Sequence, residues 1–277
     1  MTALPEPTTT ESAIPAFGLL LRDYAYAYTA SHDFDVCDRV MIDDYVLRMG
    51  ESEIRGRDTA YIPATEKQYR QYPGLGFTVH DFMTNGDRAA FRFSEHGRSV
   101  LTGKLTSWRG ISLYRWDGER LTECRVEQDY YSRTRQSNSG LSHPVPVPAT
   151  DPWTESFHPT SPETAEAVSR WLTGGKLFAS DTVEFDDEHE AGRERVQLDD
   201  LTIEVLDLFS SGDSAAFHLR ASGVYAGGLN PAHDRLIGTG GSLYVAGYVT
   251  VEECGMIAGS VVTDRLSFTR RLAASTR

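Results

Sequence analysis

Two stretches of this chain end in the same pattern. Asp129–Arg135 reads DYYSRTR and Asp264–Arg270 reads DRLSFTR, both of the form D-x-x-S-x-T-R. Upstream, NGDRAAFRFSEHG at 85–97 matches SGDSAAFHLRASG at 211–223, and Gly86, Asp87, Ala89, Ala90, Phe91 and Gly97 all recur. The first match has an offset of 212 − 86 = 126 and the second of 264 − 129 = 135, so the second copy carries about nine extra residues (135 − 126) between the two matches, inserted near YAGGLNPAHDRLIGTGG. Two matches in the same order constrain the fold strongly: they predict one unit written twice in tandem.

The chain has 277 residues, enough for two units that each bury a core. A net charge of −13 argues against a nucleic-acid partner and against docking on an anionic membrane. The three cysteines, Cys37, Cys124 and Cys254, are scattered and read as reduced thiols, which together with an N-terminus lacking a signal-peptide pattern predicts a cytoplasmic protein. No apolar run is long enough for a membrane helix.

The Pro- and Thr-rich residues 1–13 are expected to be disordered. A helix is predicted from about Ile14 to Ser31, with Pro15 at its start and Phe17, Leu20, Leu21, Tyr24 and Tyr28 on one side. DFDVCDRVMIDDYV reads as a second helical segment, and DTAYIPATEKQYRQYP as a weaker third with Pro63 near its first turn. From Gly76 strands take over, with NGD at 85–87 and DGE at 117–119 as hairpin turns. LTECRVEQDYYSRTRQ is read as the last strand. The fold class is α+β, with a first unit at 14–136, a semi-rigid Pro-rich linker at 137–153 and a second unit at 154–277. The second unit opens with a helix capped by Ser161, started by Pro162 and stopped by Gly174, then lacks a good third helix.

The segment HDFDVCDRVMIDDYVLRMG, the strand-rich half after it, and an ending with Glu127, Asp129, Arg135 and Gln136 resemble the nuclear transport factor 2-like superfamily in its SnoaL-like cyclase branch. The resemblance implies two tandem cone-shaped units, each a curved antiparallel sheet wrapped around N-terminal helices with an apolar pocket inside. The second unit is degenerate, and it would stand as an internal pseudo-dimer partner, with a further homodimer possible. The resemblance also implies no cofactor, and no metal-ligand spacing is apparent. A steroid-isomerase base would fall near Met49, which cannot serve.

By that resemblance Asp129 is the general acid/base, because a carboxylate in an apolar cone trades protons near neutral pH. The alternative is a surface or dimer-face aspartate, since strand alternation puts Asp129 with Glu123, Arg125 and Glu127. His96 is the candidate to assist it, with Arg92 on the same strand face; that face lines a pocket or meets water. In the copy this face carries His218 and Arg220, and Asp264 is the counterpart of Asp129, in a structural role. Tyr24 and Tyr28, at helical spacing, and Trp108, Tyr114 and Trp116, at strand spacing, are core residues or pocket lining. Asp38 and Glu66 are the acids available for an epoxide-hydrolase pair, and DDEHE at 186–190 reads as an acidic surface loop or a weak cation site.

Two functions follow. One is a cofactor-independent cyclase, isomerase, dehydratase or epoxide hydrolase acting on a small apolar or polyketide-like metabolite. The other is a non-catalytic ligand-binding or assembly module. The shape of the N-terminal cavity discriminates between them.

Overall fold

A computed structural model describes residues 14–154, 156–188 and 195–276. The expected disorder of residues 1–13, and His189 and Glu190 of the DDEHE run, lie outside these. The first unit opens with α1 (Ala16–Arg22), which continues as a π-helical segment, Asp23–Ala30. A 3-10 turn, Phe34–Val36, leads into α2 (Cys37–Val40), and β1 (Met41–Met49) begins at once, so the second helix is shorter than its sequence suggests. After β2 (Ser52–Arg55) and a π turn, Arg57–Tyr61, comes α3 (Ile62–Gln71), with Pro63 in its first turn, where a missing N–H costs nothing. Then follow β3 (Gly76–Thr84), β4 (Arg88–Arg98), β5 (Leu105–Trp116), β6 (Leu121–Gln128) and α4 (Tyr130–Ser139). The second unit has α5 (Pro162–Thr173), β7 (Val183–Phe185), β8 (Gln197–Ser211), β9 (Ser214–Gly227), β10 (Gly240–Val251), β11 (Ile257–Thr263) and α6 (Arg265–Ser275).

The two sheets share the order of five strands, and the first has β2 as an extra edge strand. The first runs β2-β1-β6-β5-β4-β3 and the second β7-β11-β10-β9-β8. In each, the first strand of the unit lies parallel to the last one, β1 on β6 and the three-residue β7 on β11, and every other strand pairing is antiparallel. The repeated segments β4 and β9 hold equivalent places. The register slips at His80 in β3, and one of the three slips in β8 falls at Leu206, again 126 residues apart (206 − 80). A bulge bends and twists its strand, so a bulge at the same place in each sheet curves both alike. At the β3–β4 turn Gly86 has φ +97°, which only glycine adopts cheaply, and Gly212 at φ +61° stands at the same turn of the copy. The nine extra residues form a loop with a 3-10 turn, Pro231–Leu236, between β9 and β10.

Each sheet wraps its inner face around its own core, Phe17, Tyr28, Phe91 and Trp108 in the first unit and Val168, Phe217, Tyr225 and Phe268 in the second. The outer faces pack on each other: Met83, Ala90, Ile111 and Leu113 meet Phe209, Ala216, Ala246 and Val262. The linker does not swing free. Ala149 donates its N–H to Val79 on the edge strand β3, and Trp153 is buried against Phe82, ring centroids 4.8 Å apart.

Charged groups stitch the seam. Asp207 is buried and takes Arg88 through both oxygens (3.0 and 2.5 Å) and Arg115 at 3.1 Å. Glu127 Oε1 lies 2.8 Å from His218 Nε2 and accepts the Gly50 N–H at 2.8 Å. Gly50 sits at φ +55°, and a Cβ there would lie 2.9 Å from Asp264 Oδ2. Burial raises Glu127 to about 8 and lowers His218 to about 4, so the pair is held as a carboxylic acid beside a neutral imidazole.

The sign of the pH dependence follows. A carboxyl whose folded pKa is raised lends stability that is full below its unfolded value, near 4.5, and is lost as pH rises through about 8. Glu127→Gln keeps an oxygen for Gly50 and does not titrate. The stability of the wild type relative to this variant is expected to fall between pH 5 and 8 by up to about 1.4 kcal/mol per pH unit. Urea midpoints at both pH values measure it, because the other titrations are common to both proteins; parallel pH dependences would disprove the assignment.

Candidate active site

A cavity of about 470 Å³ opens inside the first unit. Its apolar wall comes from Leu47 and Met49 of β1, Ile54 of β2, Phe77 of β3, Phe93 of β4 and Val126 of β6. Tyr24 of the π-helical segment, Tyr61, Tyr69 of α3 and Tyr114 of β5 supply aromatic faces with hydroxyl tips. Tyr24 and Tyr61 hydroxyls are 3.2 Å apart, and Tyr69 donates to the Thr29 carbonyl at 3.3 Å. Burial pushes all four phenols up, so they are hydrogen-bonding groups and not bases at neutral pH. Cys124 also lines the cavity, and burial raises its thiol to about 12, far from a reactive thiolate.

One carboxylate faces this space. Glu95 is only 5% exposed and lines the cavity on the same strand face as Phe93. Gln68 Nε2 of α3 donates to its Oε2 at 2.7 Å. Burial raises its pKa to about 7, with the Gln68 bond and the charge of Arg133 pulling the other way. A carboxyl in an apolar wall, oriented by one amide and poised near neutrality, has the makings of a general acid/base. Gln128, Tyr130 and Arg133 line the cavity too, and Leu266, Ser267 and Arg270 of α6 in the second unit complete the lining.

The residues singled out from sequence divide. Tyr24 and Tyr114 line the cavity. Tyr28 is buried behind them, its ring edge-on to Tyr24 at 5.5 Å, and Trp108 is buried with its Nε1 donating to Gln128 Oε1 at 2.8 Å. Arg92 and His96 do share a face, but it is the outer face of β4: Arg92 pairs with Asp81 at 2.6 Å, and His96 lies over Gly76 with Nε2 3.2 Å from Thr78 Oγ1. Neither lines the cavity, so the substrate-binding role for Arg92 and the assisting role for His96 do not fit their positions.

Asp129 also lies elsewhere. The segment read as a continuous strand ends at Gln128, and Asp129 caps α4, its Oδ1 accepting the Ser132 N–H at 3.0 Å. It is 1% exposed at the seam, with Arg265 Nη2 2.7 Å from both its oxygens. Asp186 and Asp187 complete this cluster: Arg265 Nε is 3.3 Å from Asp186, Nη2 is 2.9 Å from Asp187, and Arg135 also pairs with Asp187. Asp186 further accepts the Thr263 N–H at 2.7 Å and its hydroxyl at 2.8 Å. Burial holds Asp186 up, whereas Arg265 and Arg135 hold Asp187 down against burial. The start of DDEHE is thus a buried ion cluster and not a surface loop. The repeated D-x-x-S-x-T-R marks the start of a helix in each copy. Asp264 stands before α6, accepting the Tyr244 N–H at 2.9 Å and Arg271 at 2.6 Å.

Asp38 and Glu66 are solvent-exposed partners of Arg57 and Arg70, outside the cavity. His218 is in the seam, and Arg220 pairs with Glu204 at the surface. Among the described residues no helix is long and apolar enough to cross a membrane, and no group of three or more His, Cys, Asp or Glu side chains is arranged to hold a metal ion.

A curved sheet around helices, with a cavity closed by tyrosines and one buried acid, defines an α+β cone. The family profile of the SnoaL-like domain matches residues 21–124. That stretch is a SnoaL-like domain, and the second unit repeats the order of its sheet. Solved structures of similar shape include TsrD from Streptomyces laurentii, with 20% identity over 45% of this chain and 96% of that one, TM-score 0.40. A candidate SnoaL-like polyketide cyclase from Jannaschia sp. CCS1 has 13% identity over 50% of this chain and 99% of its own, TM-score 0.40. An NTF2-like protein of unknown function from Cytophaga hutchinsonii has 13% identity over 41% and 96%, TM-score 0.34. No curated protein matches the chain.

Proposed function

We propose that this protein is a cofactor-independent acid–base enzyme of the cyclase type, acting on a small, largely apolar or polyketide-like metabolite in the N-terminal cavity. The observation that carries this is Glu95: a single carboxylate in the lining, held by Gln68 and raised to about 7. The carboxylate removes a proton next to a substrate carbonyl, and its acid form returns one to the oxygen or carbon that develops charge. Asp129 acts at a distance, fixing the start of α4 and so the positions of Tyr130 and Arg133. The second unit serves as an internal pseudo-dimer partner and, through α6, as part of the cavity rim. The matched topology of the sheets supports its origin by duplication.

Exchange of α-protons for solvent deuterium in aryl ketones, followed by NMR, tests this without knowledge of the natural substrate. The protein is expected to accelerate exchange above the buffer rate. Abstraction needs the carboxylate form, so the rate is expected to rise with pH and level off above about 7. Ketones that bind the cavity but exchange no faster than in buffer would favour the alternative, a ligand-binding module.

A further inference from the structure

We infer that the ligand of this cavity carries an anionic group, which seats on the guanidinium of Arg133 and enters past Arg270. This rests on the reading of the cavity as a ligand site, and not on proton transfer by Glu95.

Arg133 is placed unlike the other arginines around it. Arg135 is engaged by Asp187, Arg265 by Asp129, and Arg271 by Asp264. The Arg133 guanidinium has no hydrogen bond or ion pair to any described residue; its neighbours are ring faces. Its Cζ lies 4.1 Å from the centroid of Tyr130, 4.9 Å from Trp108 and 5.6 Å from Tyr72. The rings hold the cation in place and displace its water while taking none of its N–H groups. Five donors in a planar fork, stripped of competing partners and set in a cavity wall, match a carboxylate, sulfonate or enolate oxygen pair.

The charge in the lining points the same way. Arg133 and Arg270 are its two cations, and Glu95, half protonated near neutrality, is its one acid. The chain as a whole has a net charge of −13, so the cavity opposes the sign of the molecule. Arg270 is exposed on α6, with no hydrogen bond or ion pair to a described residue, and it comes from the second unit. A focused positive potential at a mouth draws an anion in and lifts its rate of entry. The apolar wall of Leu47, Met49, Phe77 and Phe93 then takes the carbon skeleton.

Two dyes that share a skeleton separate charge from apolar fit. 8-Anilinonaphthalene-1-sulfonate carries a sulfonate, and N-phenyl-1-naphthylamine lacks it. In fluorescence titrations of the full chain, the sulfonate dye is expected to bind the wild type more tightly than the neutral one. Arg133→Met is expected to weaken the sulfonate dye about tenfold, the worth of one charge-assisted hydrogen bond, and the neutral dye less than about twofold. Arg270→Ser is expected to slow association of the sulfonate dye, most at low salt. Met49→Trp fills the cavity and should abolish binding of both dyes. Equal loss of both dyes in Arg133→Met, equal affinity of both for the wild type, no binding of the sulfonate dye, or its undiminished binding to Met49→Trp would each overturn the inference. The exchange assay reads Glu95 and the dye titrations read Arg133, so a failed anion preference leaves the acid–base reading standing, and a failed exchange assay leaves the anion site standing.

Discussion

Glu95→Gln is expected to lower the rate of α-proton exchange by roughly two to four orders of magnitude, the usual worth of general acid–base catalysis. The substitution is close to isosteric. The new amide oxygen can still accept the Gln68 Nε2–H that meets Glu95 Oε2 at 2.7 Å, so the rim of the cavity keeps its shape. Stability should not suffer, because below about pH 7 the native side chain is already a neutral acid. Relative to the native protein the variant gains stability as pH rises from about 4.5 to about 7, the window over which a carboxyl with a raised folded pKa loses its advantage. What is lost is the proton. Asp129→Asn makes the contrast: it weakens the pairing with Arg265 and costs stability, while a folded fraction should retain most of its exchange rate. If Asp129→Asn removed activity in a folded protein and Glu95→Gln did not, the assignment of the proton-transfer group would be reversed.

Arg265→Met is expected to be the most destabilising single change, by roughly 3–5 kcal/mol, the cost of breaking a buried ion pair from one side. The side chain is 2% exposed and faces Asp129, Asp186 and Asp187. Its removal leaves three buried carboxyls with Arg135 as the remaining counter-ion to Asp187. The midpoint of thermal unfolding should drop by on the order of 10 °C for a chain of this size. Arg265→Met combined with Asp129→Leu should recover part of the loss, since removing both members of a buried pair costs less than removing one. A single variant as stable as the wild type, or a double variant no better than the single, would show that the cluster does not hold the units together. Because α6 also supplies Leu266, Ser267 and Arg270 to the cavity, the single variant should weaken dye binding along with stability.

Local signals in the chain carried much of this. NGD and DGE do form the hairpin turns β3–β4 and β5–β6, and Ser161 with Pro162 does start α5, its hydroxyl accepting the Thr164 N–H at 3.2 Å. Strand spacing put Trp108, Tyr114 and Trp116 on the inner face, where all three belong to the first core. Helical spacing put Tyr24 and Tyr28 together. D-x-x-S also carries a local signal for a helix start: the aspartate sits three residues before the serine N–H, the spacing of a helix cap, and Asp129 makes that bond.

Glu95 was beyond such reading. A strand alternates visibly when one face meets water, and β4 has no such face. Phe91, Phe93 and Glu95 turn inward, while Ala90 is buried outward against Ala216 and Ala246 of the other unit. With both faces covered, the sequence shows which residues share a side, as Arg92 and His96 do, but not which side holds the cavity. The same holds for Asp129, whose partner Arg265 lies 136 residues further on. The repeat, the α+β class and the turns were determined by short-range rules of backbone and side-chain spacing. The choice between cavity and seam, and with it the choice between Glu95 and Asp129, was made only when the second sheet packed on the back of the first.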